Sequence, residues 1–239
     1  MTDLENLPLT SFPEGFRAIV IGASGAIGGA LLAHLAQHAR CSRVIAIGRH
    51  TTPSLDLCDE GSIRACAASL AAQGPFHLVV HAAGVLHGAG FSPEKRLQDL
   101  DVERMTDVFR INAFGPAMVL AHFGPLLDVQ RGVLALLSAK VGSIGDNRLG
   151  GWYSYRASKA ALNMFVKTAS IEMRRRNPRS VVLALHPGTV DSRLSAPFNG
   201  AEIGRAASDA ATDLLRVMDR SGPDESGGFF SYSGERLPW

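Results

Sequence analysis

No apolar run in this sequence approaches the ~20 residues that cross a hydrocarbon core, so no membrane-spanning helix is expected. Cysteine is scarce. Cys41, Cys58 and Cys66 are odd in number and lack metal-ligand spacing, which excludes a disulfide framework and a cysteine zinc site. Three small buried thiols in a reducing cytoplasm are the expectation. Charge of one sign is also missing: Lys and Arg total 24 against 22 Asp and Glu, a formal +2. That is too little for the footprint of a nucleic-acid binder. The one basic run, Arg174-Arg175-Arg176 with Arg179 beyond, reads as a solvated helix end, where cations favour the macrodipole. The stretch Met1 to Phe16 has acids and prolines but no basic segment leading into an apolar core, which argues against a signal peptide. Eight histidines form neither an HExxH nor a compact cluster with acids, so no metal is expected; His34 and His38 read as solvated neighbours on one helix.

What is present is the composition of a globular protein, 46% hydrophobic and 19% charged over 239 residues, enough for one large domain. Short runs rich in Val, Ile and Leu alternate with longer helical patterns. Phe16–Ile21, Arg43–Ile47, His77–Val80, Val133–Leu137, Val181–Leu185 and the last short run Phe229–Tyr232 read as strands. Helices are predicted over Ile27–Ala39, Glu60–Gln73, Val102–Leu127, Tyr155–Arg176 and Ala201–Asp219. Such alternation predicts a single α/β domain over residues 1–239, a doubly wound Rossmann parallel sheet of about seven strands flanked by helices. Right-handed crossovers then bring every strand's C-terminal end to one edge, where ligands bind.

The first strand runs into Gly22-Ala23-Ser24-Gly25-Ala26-Ile27-Gly28 and a helix follows. A glycine pattern alone is weak, but strand, glycine loop and helix in succession form a pyrophosphate cradle. Gly22 permits the tight turn, Gly25 the approach of backbone to phosphate, and Gly28 close packing of helix on sheet. Amides of Ser24 to Ile27 then face an anion. Arg49 follows the second strand, where an NAD site usually carries an acid. An arginine suits a 2′-phosphate, so NADP(H) is favoured with NAD(H) as the alternative. The other reading of Arg49 is an exposed loop cation. Asp56, with Leu57 beside it, is placed for the adenine edge.

Tyr155 and Lys159 stand at i and i+4 of a helix, on one face and a turn apart. A free phenol, with a pKa near ~10, is about one part in a thousand ionised at neutrality. A neighbouring ammonium lowers that pKa and makes Tyr155 a better general acid and base. A surface Tyr/Lys pair has the same spacing.

Taken together, the glycine loop, Asn112, the Tyr155/Lys159 pair and His186-Pro187-Gly188-Thr189-Val190 stand in the order seen in short-chain dehydrogenases/reductases, and the chain resembles that superfamily from about Arg17 onward. Val141-Gly142-Ser143-Ile144-Gly145-Asp146-Asn147, Gly150-Gly151-Trp152-Tyr153-Ser154-Tyr155-Arg156 and the ending Leu237-Pro238-Trp239 resemble its C-factor, or cell–cell signalling, branch. The resemblance implies a cytoplasmic oxidoreductase moving hydride between nicotinamide and a small carbonyl or alcohol substrate, with Tyr155 as acid/base. It implies that Lys159 holds the nicotinamide ribose and passes protons with a water near Asn112. His81-Ala82-Ala83-Gly84 takes the place of the family's Asn-Asn-Ala-Gly beside the adenosine. Pro187, Gly188, Thr189 and Val190 take that of the turn on the carboxamide. Helices after Val102 and after Tyr155 pair between subunits in the family, which implies a homodimer or homotetramer.

The departures are specific. Ile21 replaces the usual threonine before the glycines, and Ala26 the central glycine, a change that a negative φ tolerates. Where the family carries paired serines, the second acting, this chain reads Ser138-Ala139. Ser143 from the next loop and Ser138 from the strand end are both candidates for the substrate hydroxyl, with strand alternation favouring Ser143. No Gly-x-Ser-x-Gly elbow supports a serine hydrolase. A dinucleotide-binding signalling protein with little turnover is the rival reading. Loops His87–Arg96 and Ser192–Gly200 are expected to line the substrate, and Trp152, Tyr153 and Trp239 either wall that cleft or pack a subunit contact.

Overall fold

A computed structural model describes residues 7–88 and 90–239. Residues 1–6 of the N-terminal stretch and Ala89 of the first substrate loop lie outside the described residues. Six apolar runs become strands: β1 (Phe16–Ile21), β2 (Cys41–Ile47), β3 (Leu78–His81), β4 (Val133–Leu137), β5 (Val181–His186) and β6 (Gly228–Ser231). All pair in parallel, in the order β2-β1-β3-β4-β5-β6. The chain moves from β1 outward to β2 and then back across to β3. The crevice between β1 and β3 is therefore the topological switch point, where a doubly wound sheet binds its ligand.

The helices cover both faces. Strand residues alternate in direction, so Val20, Val80 and Leu183 pack under α1 (Ala26–Gln37) and α7 (Ala207–Arg220). Ile19, Val79 and Val182 pack on the opposite face under α2 (Glu60–Leu70), α4 (Gly115–Phe123) and α5 (Tyr153–Arg176). Asp59 caps α2 by accepting from Gly61 N, and Asp101 caps α3 (Val102–Phe109) by accepting from Arg104 N. Arg174–176 end α5 exposed to solvent, as their sequence suggests.

Several expectations are corrected. The sheet has six strands among the described residues, not about seven. Just beyond β2, Gly48 makes an isolated parallel bridge with Ser54, and Pro53 has no N–H to extend it. The expected helix Val102–Leu127 is α3, a π-helical turn at Arg110–Phe114, α4 and a 3₁₀ turn at Gly124–Leu126. The expected helix Ala201–Asp219 breaks into α6 (Gly200–Ile203) and α7, because Arg205 leaves helical geometry to bridge Val190. His34 and His38 are not simply solvated: their Nε2–H groups donate to Ser208 O at 2.9 Å and Leu7 O at 2.7 Å. Of the three free thiols only Cys66 is buried, Cys41 being half-buried and Cys58 exposed.

Candidate active site

At the mouth of the switch point Gly22 turns at φ +86°, its amide donating to Ile47 O at 2.8 Å. A Cβ there would fall 2.7 Å from Ala83 N, and one on Gly28 would fall 2.2 Å from Gly22 O. Helix α1 can lie this close to the loop only because both positions are glycine. Ser24, Gly25 and Ala26 are exposed on the rim, and Ala26 takes the negative φ of the first helical residue. Ile27 is half-buried against the core. Gly25 caps α1 without a side-chain bond, so the first amides of the helix point outward.

Arg49 is exposed immediately after β2. It shares a corner with Asp56: both charges act on the Cys58 thiol, and Asp56 Oδ1 accepts from Cys58 N at 2.9 Å. Leu57 is half-buried, and its carbonyl faces Gly115 at the start of α4. On the other side of β1, Ala82 N donates to Ile21 O at 2.8 Å. The next residues lead to Gly84, where a Cβ would lie 3.3 Å from Asn112 Oδ1 and 3.4 Å from Lys159 Nζ. The glycine loop and the proton-handling groups therefore meet around Ala83 and Gly84.

Asn112 sits in the π-helical turn, fully buried. Its Nδ2 donates to Val85 O at 2.7 Å and to Ser158 Oγ at 3.2 Å, while Oδ1 accepts from Val85 N at 2.9 Å. The widened turn is what carries this amide inward. Ser158 Oγ in turn donates to Tyr155 O at 2.8 Å. Lys159 Nζ donates to Leu137 O at 2.9 Å and stands 5.8 Å from the Tyr155 ring centroid. The pair lies in the interior, not on the surface. Burial pushes Tyr155 up to about 12 and Lys159 down to about 8. The expected lowering of the tyrosine by its lysine is thus outweighed here by desolvation of the phenolate.

His81 ends β3 with both ring nitrogens buried and unpartnered among the described residues. Burial first, and the Lys159 charge second, hold it down at about 3, so it is a neutral imidazole. The two serines part company. Ser138 Oγ donates to Asn163 Oδ1 of α5 at 2.6 Å, committing its proton within the core. Ser143 is buried in the next loop, and its Oγ accepts from Asp146 N at 3.1 Å. Pro187 and Gly188 follow β5; Gly188 turns at φ +78° beneath the Tyr232 ring, while Thr189 is exposed and Val190 buried.

Sequence reasoning missed the groups that hold these parts. Arg205 lies over the Tyr232 ring at 4.3 Å, its amide donates to Thr189 O at 3.0 Å, and its guanidinium pairs with Asp213. Glu94 accepts from Ser154 at the start of α5. No local motif marks them, because each acts on a distant segment.

The model of the adh_short_C2 family, described as enoyl-(acyl carrier protein) reductase, matches residues 26–222, from the glycine loop past the whole cluster. The chain belongs to the short-chain dehydrogenase/reductase family. This oxidoreductase is 38% identical to the C-signal protein of Myxococcus xanthus over 147 residues, 60% of this chain and 83% of that one. It is 32% identical to a 1-hydroxy-2-glutathionyl-2-methyl-3-butene dehydrogenase of Rhodococcus sp. (strain AD45) over 194 residues, 81% of this chain and 82% of that one. Among solved structures, NADPH-bound carbonyl reductase from chicken fatty liver superposes with a TM-score of 0.80 over 98% of both chains. An NADP-bound short-chain dehydrogenase/reductase from Burkholderia multivorans superposes with a TM-score of 0.77, covering 94% of this chain and 99% of that one. Both are 22% identical to this short-chain dehydrogenase/reductase, so they speak for its fold alone. Among the described residues no helix is long and apolar enough to cross a membrane.

Proposed function

We propose that this protein reduces small carbonyl compounds with NADP(H), reversibly, and that Tyr155 is the acid and base. The observation that carries the reading is the meeting of Tyr155, Lys159, Asn112 and Gly84 beside the glycine loop. The residues fit a dinucleotide: the cradle around Gly22, Gly25 and Gly28 has no side chain to block a pyrophosphate, and Arg49 stands exposed where a 2′-phosphate would lie. NADP in two structural relatives supports that choice, with NAD(H) the second option. Ala82–Gly84 would line the adenosine and Pro187–Val190 the carboxamide. When bound, NADPH supplies a hydride to the carbonyl carbon.

Tyr155 Oη then gives its proton to the carbonyl oxygen, completing the alcohol. A phenol held up at about 12 carries that proton throughout the neutral range, which suits the reducing direction. Lys159, held between Leu137 O and the Tyr155 ring, stabilises the phenolate that forms. It would also return a proton to the phenolate with the help of a water near Asn112, whose amide is fixed by Val85 and Ser158. Ser143 is the better hydroxyl for holding the substrate oxygen, since Ser138 is engaged with Asn163. The similarity to C-signal and the Ser138-Ala139 departure favour a second reading, a dinucleotide-binding signalling protein with little turnover. A reducing cytoplasm agrees with three unpaired thiols. Pairing of two or four copies is supported by exposed Val102, Phe114, Met164, Phe165 and Ile171 along α3 to α5.

Titration with NADPH, followed by nicotinamide fluorescence, is expected to show saturable binding; absence of binding with NADPH and NADH removes both readings. On a panel of aldehydes and ketones, Tyr155→Phe is expected to lose at least about 100-fold in kcat/KM while still binding NADPH. Undiminished turnover by that variant rejects the mechanism, and no turnover by the wild type favours the signalling reading.

A further inference from the structure

The backbone just ahead of Tyr155 takes a strained path. Gly150 and Gly151 lie at φ +63° and +64°, and Trp152 follows at φ +53° although it has a Cβ to place. A bulky residue in that region is an outlier that persists only where its surroundings hold it. Trp152 N donates to Glu94 O at 2.5 Å, Ser154 N donates to a Glu94 carboxylate oxygen at 3.1 Å, and Ser154 Oγ donates to the other oxygen. Glu94, from the loop after β3, thus clamps both sides of the strained residue.

What the strain achieves is the placing of an indole. The Trp152 ring meets the Tyr155 ring edge-on, centroids 6.2 Å apart at 77°, and lies 4.8 Å from the Phe198 ring. Phe198 meets His87 at 6.0 Å, and the His87 ring bonds Arg193 O at 3.1 Å. The loops after β3 and β5 are joined over the phenol by aromatic surface. The Asn112 and Lys159 bonds make no use of it. A cavity bounded by Leu86, Phe91, Glu94, Val108, Ser154 and Tyr155 holds about 10 Å³, room for a water and not for a substrate.

We propose that Trp152, with Phe198, is a specificity-determining residue that selects carbonyl compounds bearing a flat, uncharged aromatic group beside the reacting carbon. The inference rests on the reading of Tyr155 as proton donor. A carbonyl oxygen within hydrogen-bond reach of that phenol has its substituents within a ring's width of the indole packed on it. Aromatic rings prefer such edge and offset contacts to an aliphatic partner. The wall itself, an indole and a phenyl ring, carries no formal charge to pair with an ionised substituent.

The test compares benzaldehyde with cyclohexanecarbaldehyde, which have equal carbon number and differ in flatness and π-surface, at saturating NADPH. The wild type is expected to prefer benzaldehyde by about tenfold in kcat/KM. Trp152→Leu should bring the two within about twofold, mainly through KM for benzaldehyde, and Trp152→Phe should keep most of the preference. Phe198→Leu, which lies outside the strained stretch, should lower it in the same direction. Equal losses on both aldehydes in both leucine variants, or a wild-type preference for the cyclohexyl compound, overturn the proposal. Should neither aldehyde be reduced, the reading of Tyr155 is judged separately on the wider carbonyl panel, and calorimetry of aldehyde binding judges the wall. Tighter benzaldehyde binding by wild type than by Trp152→Leu then supports the wall, and equal affinities overturn it.

Discussion

Arg49, Ser138 and Ser143 are the residues whose roles depend most on where a few atoms stand. Arg49 is exposed at the end of β2 with Asp56 at the same corner, so a 2′-phosphate would meet one guanidinium against one nearby carboxylate. Arg49→Ala is expected to weaken NADPH binding by about tenfold and NADH binding by much less, read by fluorescence titration of both. Equal losses would place the guanidinium away from the 2′-phosphate. For the serines, Ser138→Ala is expected to lower stability by about 1–3 kcal/mol in urea unfolding, since it strands Asn163 in the core, with kcat largely kept. Ser143→Ala should do the reverse, lowering kcat by about 10- to 100-fold with stability little changed. Alternation along β4 favoured Ser143 from the sequence. The reason lies in the fold: Ser138 extends the face of Leu134 and Leu136, which packs under α5.

At the scale of elements, the strand–glycine loop–helix unit was legible because its requirements are local. A tight turn needs left-handed backbone at Gly22, and helix approach needs the missing Cβ of Gly28. The π-helical turn at Arg110–Phe114 was not legible, because a run of apolar and polar residues carries no mark of a five-residue turn. The ending Leu237-Pro238-Trp239 was legible as a motif, but its contacts were not. Leu237 N donates to Phe229 O at 2.8 Å, the Trp239 ring stacks on Phe229 at 5.6 Å, and Trp239 O accepts from Gly145 N at 2.9 Å. This strap holds the loop that carries Ser143. Trp239→Ala is expected to reduce kcat several-fold by loosening that loop while leaving the NADPH dissociation constant within about twofold, as stopped-flow and titration would show. A parallel loss of NADPH affinity would mean that the strap supports the whole sheet instead.

For the molecule as a whole, the buried ionisable groups link stability to pH. Burial, with a smaller push from nearby lysine charges, holds His81 down at about 3 and His186 down at about 4, from an ordinary 6.5. Between those values and 6.5 the unfolded chain takes up protons that the native chain refuses, so stability falls as pH falls. His81→Asn should flatten this decline, sparing on the order of 3 kcal/mol between pH 7 and 4 in urea unfolding. An unchanged acid slope would show that His81 finds a partner for its proton.

Periodicity and the glycine loop were enough to indicate a parallel α/β sheet and its nucleotide edge, and helical spacing put Tyr155 and Lys159 on one face, because each depends on neighbours within a turn or a strand of one another. They could not show that the sheet stops at six strands among the described residues, or that burial raises Tyr155 and lowers Lys159. Nor could they show that Glu94 forces an indole against the phenol. Those outcomes arise where segments dozens of residues apart exclude water from one another, and desolvation and packing belong to the assembled interior.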